Sequence, residues 1–281
     1  MNISRRDILK FGAGTAALWT TSTIPLSALE ATTKKIPIGL QLYSLRDICG
    51  RDVPGTLAAV AKMGYEGVEF AGYYNRSAAD LRKILDQNSL KCCGTHTSID
   101  TLLGDRLKAT IAYNKTLGNP FLIVPSLPHK YFASAAATKE TAKLLTDIAA
   151  KVKSEEMHVG YHAHGGDFHK INGQSTWDLL FESAGPDVVM QLDTGNCLDG
   201  GGDPVAVLKK FPGRALTLHV KEHGGKGGAP VGEGKVNWKE VFQVCETVGG
   251  TQWYVIEQES YRGSPLESVK QCIENVRKMG K

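Results

Sequence analysis

The 281-residue chain lacks several signatures that would reveal a function directly. Its six cysteines show no CxxC spacing and no zinc-finger pattern, which argues against a cysteine-type structural zinc site. The net charge of +4 is small and scattered, so composition does not indicate a nucleic-acid partner. No glycine-rich segment has the spacing of a P-loop. We expect most of the cysteines to be small buried apolar residues. One disulfide is the alternative if the protein resides in an oxidising compartment.

Long hydrophobic runs are also missing. Apolar residues make up 42% of the chain and charged residues 22%, which supports neither a disordered nor a fibrous protein. The mildly apolar stretch at 11–26 is too short and too polar for a membrane span. No linker interrupts residues 36–281, so we expect a single domain there.

The N-terminal residues resemble a twin-arginine export signal. Arg5 and Arg6 stand in Ser-Arg-Arg-x-Ile-Leu-Lys, just before the mildly apolar stretch. We interpret residues 1–31 as the signal segment, with cleavage after Ala28 or Ala31; the alternative is an ordinary basic N-terminal helix. This interpretation predicts a periplasmic protein that folds before export and has no stable membrane association after cleavage.

Short apolar or β-branched segments recur along the chain at intervals of roughly 30 residues, with amphipathic helical stretches between them. This alternation predicts parallel strands joined by crossover helices. Eight such units fit a single-domain (β/α)8 TIM barrel. A doubly wound open sheet is the alternative, but the first strand is not followed by a Gly-rich turn. The predicted strands start near Ile38, Val68, Cys93, Leu122, Val159, Val189, Leu216 and Tyr254.

Polar side chains follow these strand starts at the level where a barrel of this kind carries its chemistry, the carboxyl ends of the strands. The first three strands contribute Gln41, Glu69 and His96. Four consecutive later strands contribute His162, Asp193, His219 and Glu257. Imidazole and carboxylate groups without a thiolate suit one divalent cation, such as Mn²⁺, Co²⁺, Zn²⁺ or Mg²⁺. Placing these imidazoles and carboxylates together in the barrel mouth would cost several kcal/mol of stability if no cation or other partner compensated them.

Five short motifs together carry a family resemblance. They are GLQLYS at 39–44, GYEGVE at 64–69, LDTGN at 192–196, LHVKE at 218–222 and VGEG at 231–234. From about Ile36 to its end, the chain resembles the xylose isomerase-like barrels, also called the sugar phosphate isomerase/epimerase family. The resemblance implies a TIM barrel that binds a divalent metal ion, with Asp193, His219 and Glu257 at three of the four usual ligand positions.

The fifth strand departs from the commonest family pattern. Many members carry glutamate there, whereas this chain has Tyr161-His162-Ala163-His164, similar to a subgroup of inosose-dehydratase-like and keto-sugar-lyase-like proteins. We take His162 as the fourth ligand and His164 as the alternative; the other histidine would contact substrate or support the ligands. Asn196 stands where many members have histidine, so a substrate contact there is expected to differ.

This histidine bears on the reaction that the resemblance implies. Epimerases of the family use two metal-bound glutamates, and here Glu257 would be the only carboxylate of that pair. We expect an exported, metal-dependent enzyme that removes a proton beside a sugar carbonyl, by isomerisation or epimerisation or by β-elimination or hydration of a 3-keto glycoside. Candidate bases are His164, Glu257 and Lys221, the last only if its pKa is lowered. His96 or Glu69 could protonate a departing oxygen.

The remaining predictions concern the ligand. Gln41, Glu69, Asn196 and Arg262 are the predicted substrate contacts. Residues 224–228, rich in glycine, could cover the site or hold a phosphate, but exported enzymes rarely meet sugar phosphates, so we expect an unphosphorylated sugar or glycoside. The alternatives are a metal-dependent hydrolase and a non-catalytic sugar-binding barrel. The sequence indicates no particular oligomeric state.

Overall fold

Eight parallel strands close into a barrel in the computed structural model of the protein, which describes residues 35–171 and 173–281. The barrel strands run in the spatial order β1-β10-β9-β8-β5-β4-β3-β2. They are β1 Ile38–Gln41, β2 Gly67–Phe70, β3 Lys91–His96, β4 Phe121–Val124, β5 His158–His162, β8 Val189–Asp193, β9 Thr217–Val220 and β10 Trp253–Ile256. Two further strands, β6 Lys170–Ile171 and β7 Gln174–Ser175, form an antiparallel pair outside the barrel.

Ten α-helices accompany the strands in the described part of the chain. They are α1 Arg46–Cys49, α2 Val53–Met63, α3 Ala78–Gln87, α4 Arg106–Leu117, α5 Ala135–Lys153, α6 Thr176–Ser183, α7 Thr194–Asp199, α8 Pro204–Lys210, α9 Trp238–Val244 and α10 Pro265–Lys278. Short 3-10 turns occupy Leu42–Leu45, Ile99–Leu102, His129–Tyr131 and Gly165–Phe168, and a π turn at Cys245–Gly249 extends α9.

The (β/α)8 barrel predicted from the sequence is confirmed, and each barrel strand starts within two residues of its predicted position. The pair β6 and β7 was not predicted, because strands of two residues are too short to show an alternating pattern. Helix α4 occupies its expected place between β3 and β4 but shows only a weak apolar stripe in the sequence. It buries Leu107, Asn114 and Leu117, and a polar residue in the middle of the buried face weakens the apolar period that marks a helix.

Side-chain caps and glycines set the helix boundaries. The side chains of Asp52, Ser77, Ser134 and Ser264 each accept a hydrogen bond from a backbone N–H in the first turn of the helix that follows. These bonds satisfy donors that have no partner within the helix. Helix α2 ends at Gly64, whose φ of +91° is a left-handed conformation that favours glycine.

The barrel interior is packed at its amino-terminal end. Phe121, Ile123 and Val189 form a small cluster there, with Trp253 packed against it. Gly67 leaves room for the indole, because a Cβ at this position would lie 2.9 Å from two ring carbons of Trp253. The larger core lies between the strands and the surrounding helices. With its lower end filled by apolar side chains, the barrel can offer a polar site only at the carboxyl ends of the strands.

The structure also bears on the predictions about the cysteines and about membrane-spanning segments. All six cysteines lie in the described part of the chain, where each is buried and free, so their prediction as small core residues is confirmed and no disulfide joins them. No helix within 35–171 or 173–281 is long and apolar enough to cross a membrane. The proposed signal segment, residues 1–31, lies outside the described residues.

Arg214 fastens the segment that leads into β8. Its guanidinium donates hydrogen bonds to the carbonyl oxygens of Phe181 (2.6 Å), Gly185 (2.8 Å) and Val188 (3.0 Å). Desolvation lowers the pKa of Arg214 to about 10. The guanidinium therefore ties the end of α6 to the start of β8, which carries Asp193.

We expect Arg214→Met to lower the free energy of unfolding by about 2–4 kcal/mol, since it leaves several carbonyl oxygens without a charged donor. Urea unfolding followed by circular dichroism measures this loss. Arg106→Met, at an exposed arginine, is the matched control and should change stability by less than about 0.5 kcal/mol. Equal effects of the two substitutions would contradict the fastening role of Arg214.

Candidate functional site

The four predicted metal ligands lie together at the carboxyl ends of neighbouring strands. Donor atoms of His162, Asp193, His219 and Glu257 all lie within 4.8 Å of one another, and all four residues are buried. The register accounts for this, because Asp193 of β8 pairs directly with His219 of β9, while Glu257 follows β10 on the other side of β9. We call these four residues the central cluster.

Asp193 has an unsatisfied oxygen that faces this cluster. Its Oδ1 accepts the backbone N–H of Asn196 at 2.7 Å, whereas the buried Oδ2 has no hydrogen-bond partner among the described residues. The Oδ2 lies 3.8 Å from Nδ1 of His219. Burial raises the pKa of Asp193 well above its ordinary value. A buried carboxylate oxygen without a donor is a position that a cation would satisfy, so the residues present fit a divalent ion.

His162 offers a free nitrogen to the cluster. Its Nδ1 lies 3.1 Å from Oε1 of Gln191. An amide oxygen can only accept, so this contact assigns the proton to Nδ1 and leaves the lone pair on Nε2. Burial lowers the pKa of His162 well below its ordinary value. A neutral imidazole of fixed tautomer is the form that binds a metal ion.

His219 lies between two carboxylates. Its Nε2 is 2.6 Å from Oε2 of Glu69, and its Nδ1 is 3.2 Å from Oε2 of Glu257. Burial alone would lower the pKa of His219, but Glu69 and Glu257 raise it to about 10. The Glu69 contact keeps the Nε2 proton in place, so Nδ1 is the atom that could bind a cation after releasing its proton.

Glu69 and Gln41 lie below the cluster, not at its open side. Both side chains are fully buried, and Gln41 Nε2 donates to Glu69 Oε2 at 2.7 Å. Burial works to raise the pKa of Glu69, but His96 and His219 bring it below its ordinary value. An ionised and enclosed carboxylate cannot protonate a substrate. We therefore assign Glu69 and Gln41 a role in positioning His219, in place of the predicted substrate contacts.

Gln191 links the buried side chains below the central cluster, which we call the lower layer. Gln191 was not singled out in the sequence analysis. Its Nε2 donates to Oε1 of Glu69 (2.8 Å) and to Oγ1 of Thr217 (3.0 Å). Its Oε1 lies 3.1 Å from Nε2 of His96 and faces His162 as described above. The signal was available, because a residue two positions before Asp193 in a strand points to the same face of the sheet.

A bulge in β3 makes room for Glu69. The register between β2 and β3 shifts after Val68, which pairs with Cys92, so that Glu69 pairs with Gly94. A Cβ on Gly94 would overlap the Glu69 carboxylate. The bulge therefore sets a residue without a side chain against the carboxylate that positions His219.

Two cavities open above the central cluster. The first, of about 470 Å³, is lined by His96, Ser98, Ser126, His162, His164 and Glu257, among others. The second, of about 370 Å³, is lined by Asn196, Lys221, His223, Ser260 and glycines of the 224–228 loop. Both are also lined by Glu257 and Glu259. We call them the histidine cavity and the glycine cavity.

His164 and His96, two of the predicted catalytic residues, line the histidine cavity together with Glu257. The His164 ring lies edge-on to that of His162, with centroids 4.9 Å apart. Desolvation lowers the pKa of His164 from its ordinary value, which favours a neutral ring. The side chain of His96 is 11% exposed, so it remains accessible from the cavity.

Lys221 is held by acidic neighbours. Its Nζ forms an ion pair with Glu259 and lies 3.8 Å from Glu257 and 3.9 Å from Asp193. It also donates to Oδ1 of Asn196 at 3.0 Å. Burial works to lower the pKa of Lys221, but the three carboxylates raise it. The lowered pKa that a lysine base requires is therefore not found, and Lys221 acts as a cationic donor.

The other two predicted substrate contacts, Asn196 and Arg262, already have hydrogen-bond partners within the protein. Asn196 donates through Nδ2 to the carbonyl oxygen of Ala163 at 2.9 Å, so both ends of its amide are bound. Arg262 pairs with Glu233 at 2.7 Å and donates to the carbonyl oxygen of Lys226 at 3.3 Å. Arg262 thereby braces the glycine-rich loop from outside, and it is not among the residues that line either cavity.

Comparison with known proteins agrees with this geometry. Residues 57–279 match the family model described as the xylose isomerase-like TIM barrel. The chain belongs to this family. The solved structure of a sugar phosphate isomerase/epimerase from Parabacteroides distasonis superposes with a TM-score of 0.76, at 25% identity over 87% of this chain and 98% of that one.

Two curated relatives extend the comparison. The chain is 24% identical over 271 residues to the rhizopine catabolism protein MocC of Rhizobium meliloti, across 82% of this chain and 83% of that protein. It is 27% identical over 225 residues to an inosose dehydratase of Geobacillus kaustophilus, across 69% of this chain and 71% of the relative. The family membership and these relatives support an enzyme.

If the central cluster holds a cation, adding Mn²⁺ should raise the melting temperature, because a ligand at 100 times its Kd stabilises the folded state by about 2.7 kcal/mol. The shift should be larger at pH 8 than at pH 6, since binding displaces protons from His219 and Asp193. Asp193→Asn should abolish it, while Asp187→Asn, at a surface residue paired with Lys153, should retain it. Differential scanning fluorimetry measures both. An Asp193→Asn variant that keeps the full shift would contradict the assignment.

Proposed function

We propose that the protein is a divalent-cation-dependent enzyme that removes the proton beside the carbonyl group of a keto-sugar and eliminates the oxygen substituent at the β-position. A 3-keto glycoside is the proposed substrate class. The observation that carries the proposal is the residue that β5 supplies to the central cluster. That residue is His162, with His164 beside it, whereas a two-base epimerase would need a second glutamate at this position.

His162, Asp193, His219 and Glu257 are the residues that would hold the cation. Bound there, a divalent ion would acidify the C–H bond next to the substrate carbonyl by stabilising the negative charge that develops on oxygen. Glu257 is suited to ligation and poorly suited to act as the base. Burial works to raise its pKa, but His219, His162 and Lys221 hold it well below its ordinary value.

His164 is the residue we assign as the base. It lines the histidine cavity beside the cluster, and the lowered pKa of its ring favours the neutral form that accepts a proton. Because His164 lies on one side of the cluster, it can remove a proton from one face of the sugar. Return of a proton to the opposite face, as epimerisation requires, would need a second base.

His96 and Lys221 are the groups that can protonate the departing oxygen. Each lines one of the two cavities next to Glu257. Lys221 is kept protonated by its acidic neighbours, so it carries the proton that an acid must donate. The buried and ionised Glu69 has no such proton, which leaves these two as the acids of the proposal.

The names of the relatives support elimination over epimerisation, because several of them are inosose dehydratases. Neither of the two curated relatives described above is named as a hydrolase or as a sugar-binding protein, the alternatives considered from the sequence. The glycine-lined and polar character of the mouth supports a small hydroxylated ligand and not a nucleic acid.

A methyl 3-keto-β-glucoside incubated with the Mn²⁺-loaded enzyme in D₂O tests the reaction. We expect release of methanol together with loss of the C2 proton signal, because elimination forms a C1–C2 double bond and leaves no hydrogen on that carbon beside the carbonyl; both are followed by NMR. His164→Gln should lower kcat by about 100-fold or more, consistent with loss of a general base, with little change in KM. His169→Gln, at an exposed histidine outside both cavities, is the matched control. Deuterium uptake without methanol release would favour epimerisation, and absence of both would overturn the proposal.

We also propose that the enzyme is exported through the twin-arginine pathway, on the basis of Arg5 and Arg6 before a mildly apolar stretch. Replacing both arginines with lysine should retain the protein in the cytoplasm, because the pathway reads the arginine pair. Cell fractionation with immunoblotting measures the distribution. Lys10→Arg, a change of the same size outside the pair, should leave export intact. Periplasmic accumulation of the double variant would contradict this proposal.

A further inference from the structure

We infer that the glycine cavity is a second binding site, adjoining the proposed catalytic one, which takes the substituent of a two-part substrate as a neutral, hydroxyl-rich group such as a second sugar ring. The inference rests on the proposed function in placing the keto-bearing ring in the histidine cavity. It goes further in assigning a place and a chemical class to the group that leaves.

The two cavities are neighbours at the barrel mouth. Glu257 and Glu259 line both of them, so a ligand that occupies one can extend past these residues into the other. Volumes of about 470 and 370 Å³ each fall within the range of about 300–1,000 Å³ typical of small-molecule pockets. A substrate with only one ring would leave the glycine cavity to water.

Glu222, which lines the glycine cavity and has no role in the proposed reaction, anchors the chain next to the cavity. The Glu222 carboxylate accepts the backbone N–H groups of Gly232 (2.7 Å) and Val236 (3.1 Å) and the indole N–H of Trp238 (2.8 Å). These bonds anchor the segment that follows β9. The cavity is therefore bounded by a fastened loop.

The glycines themselves lie close to the facing loop after β10. Gly228 has a φ of +71°, and a Cβ there would lie 2.7 Å from the carbonyl carbon of Tyr261. Gln258 donates through Nε2 to the carbonyl oxygens of Gly228 (3.2 Å) and Ser260 (2.6 Å). Glycine thus lets the two loops that border the cavity approach each other.

The charges around the cavity disfavour an anion. Lys221 is the one lysine or arginine among its described lining residues, and three carboxylates already lie within 4 Å of its ammonium group. Asp199, another lining residue, pairs with His223 at 2.7 Å. A phosphate would meet more negative than positive charge here. The phosphate-binding role considered for this loop from the sequence is therefore disfavoured.

What the cavity offers instead is a set of polar groups without a free positive charge. Backbone groups of the loop, the Ser260 hydroxyl and the His223 ring are suited to hydroxyl groups, which both donate and accept hydrogen bonds. Binding there would also hold the leaving group beside Lys221, one of the two acids of the proposed reaction.

Gly227 provides a way to fill the cavity without disturbing the fold. It lines the cavity, its φ is outside the left-handed region, and a Cβ there meets no atom within 4 Å. Gly227→Trp should place an indole in the cavity, and Ser260→Trp should fill it from the opposite loop. Gly227→Ala is the small control. Gly166→Trp, whose Cβ also meets nothing within 4 Å, adds the same side chain outside both cavities.

Isothermal titration of the Mn²⁺-loaded full chain with the His164→Gln substitution, which we expect to bind the probes with little turnover, tests the inference through binding. The probes are methyl 3-keto-β-glucoside, with one ring, and 3-keto-cellobiose, with the keto group on the non-reducing ring. We expect 3-keto-cellobiose to bind this protein at least 10-fold more tightly than the one-ring probe does. Gly227→Trp and Ser260→Trp should each remove that advantage and change the affinity for the one-ring probe less than twofold. Both control variants should retain the advantage.

The results separate this inference from the proposed function. If 3-keto-cellobiose shows the expected binding but neither probe is turned over, the second site stands and the proposed reaction fails. If both probes are turned over but the second ring gives no advantage, or if the filling variants leave that advantage intact, the second site is overturned. Tighter binding of 3-keto-glucose 1-phosphate, whose phosphate stands in the place of the leaving substituent, than of the one-ring probe would overturn its assignment to neutral groups.

Discussion

The candidate site depends on one buried contact, the hydrogen bond between Glu69 and Nε2 of His219. It fixes the orientation and the tautomer of an imidazole whose Nδ1 then faces Asp193 and Glu257. A charged carboxylate is stable at full burial only with such partners, and Gln41, Gln191 and His219 supply them. The enclosed lower layer of side chains thus determines the geometry of the open upper layer, where chemistry would take place.

The backbone makes this contact possible. The bulge in β3 sets Gly94 against the Glu69 carboxylate, and the apolar end of the barrel interior, with Trp253 over Gly67, closes the space beneath. A glycine has the same effect at the mouth of the barrel, where the absence of a side chain on Gly228 lets the loops after β9 and β10 approach each other. Glycine is thus used where a carboxylate, an indole or a second loop needs the volume.

The sequence alone predicted the barrel and the four residues of the central cluster. In each strand, the residue three or four positions after the start lies at the carboxyl end, and these positions share a common level in the barrel. The sequence could not predict which polar residues lie below that level. Gln41 and Glu69 were expected at the substrate and lie beneath His219 instead, since the bulge in β3 that admits Glu69 leaves no mark on a hydrophobic pattern. Gln191 was missed because a lone glutamine in a buried strand resembles any polar interruption.

The buried layer would thus present one nitrogen each of His162 and His219, together with Asp193 and Glu257, to a single divalent cation. The most direct measurement is the anomalous diffraction of crystals grown with Mn²⁺. We expect one strong peak bound by Nε2 of His162, Nδ1 of His219 and the carboxylates of Asp193 and Glu257, with His164 unligated. A peak bound by His164 in place of His162, or crystals grown in excess Mn²⁺ with no peak in the cluster, would contradict it.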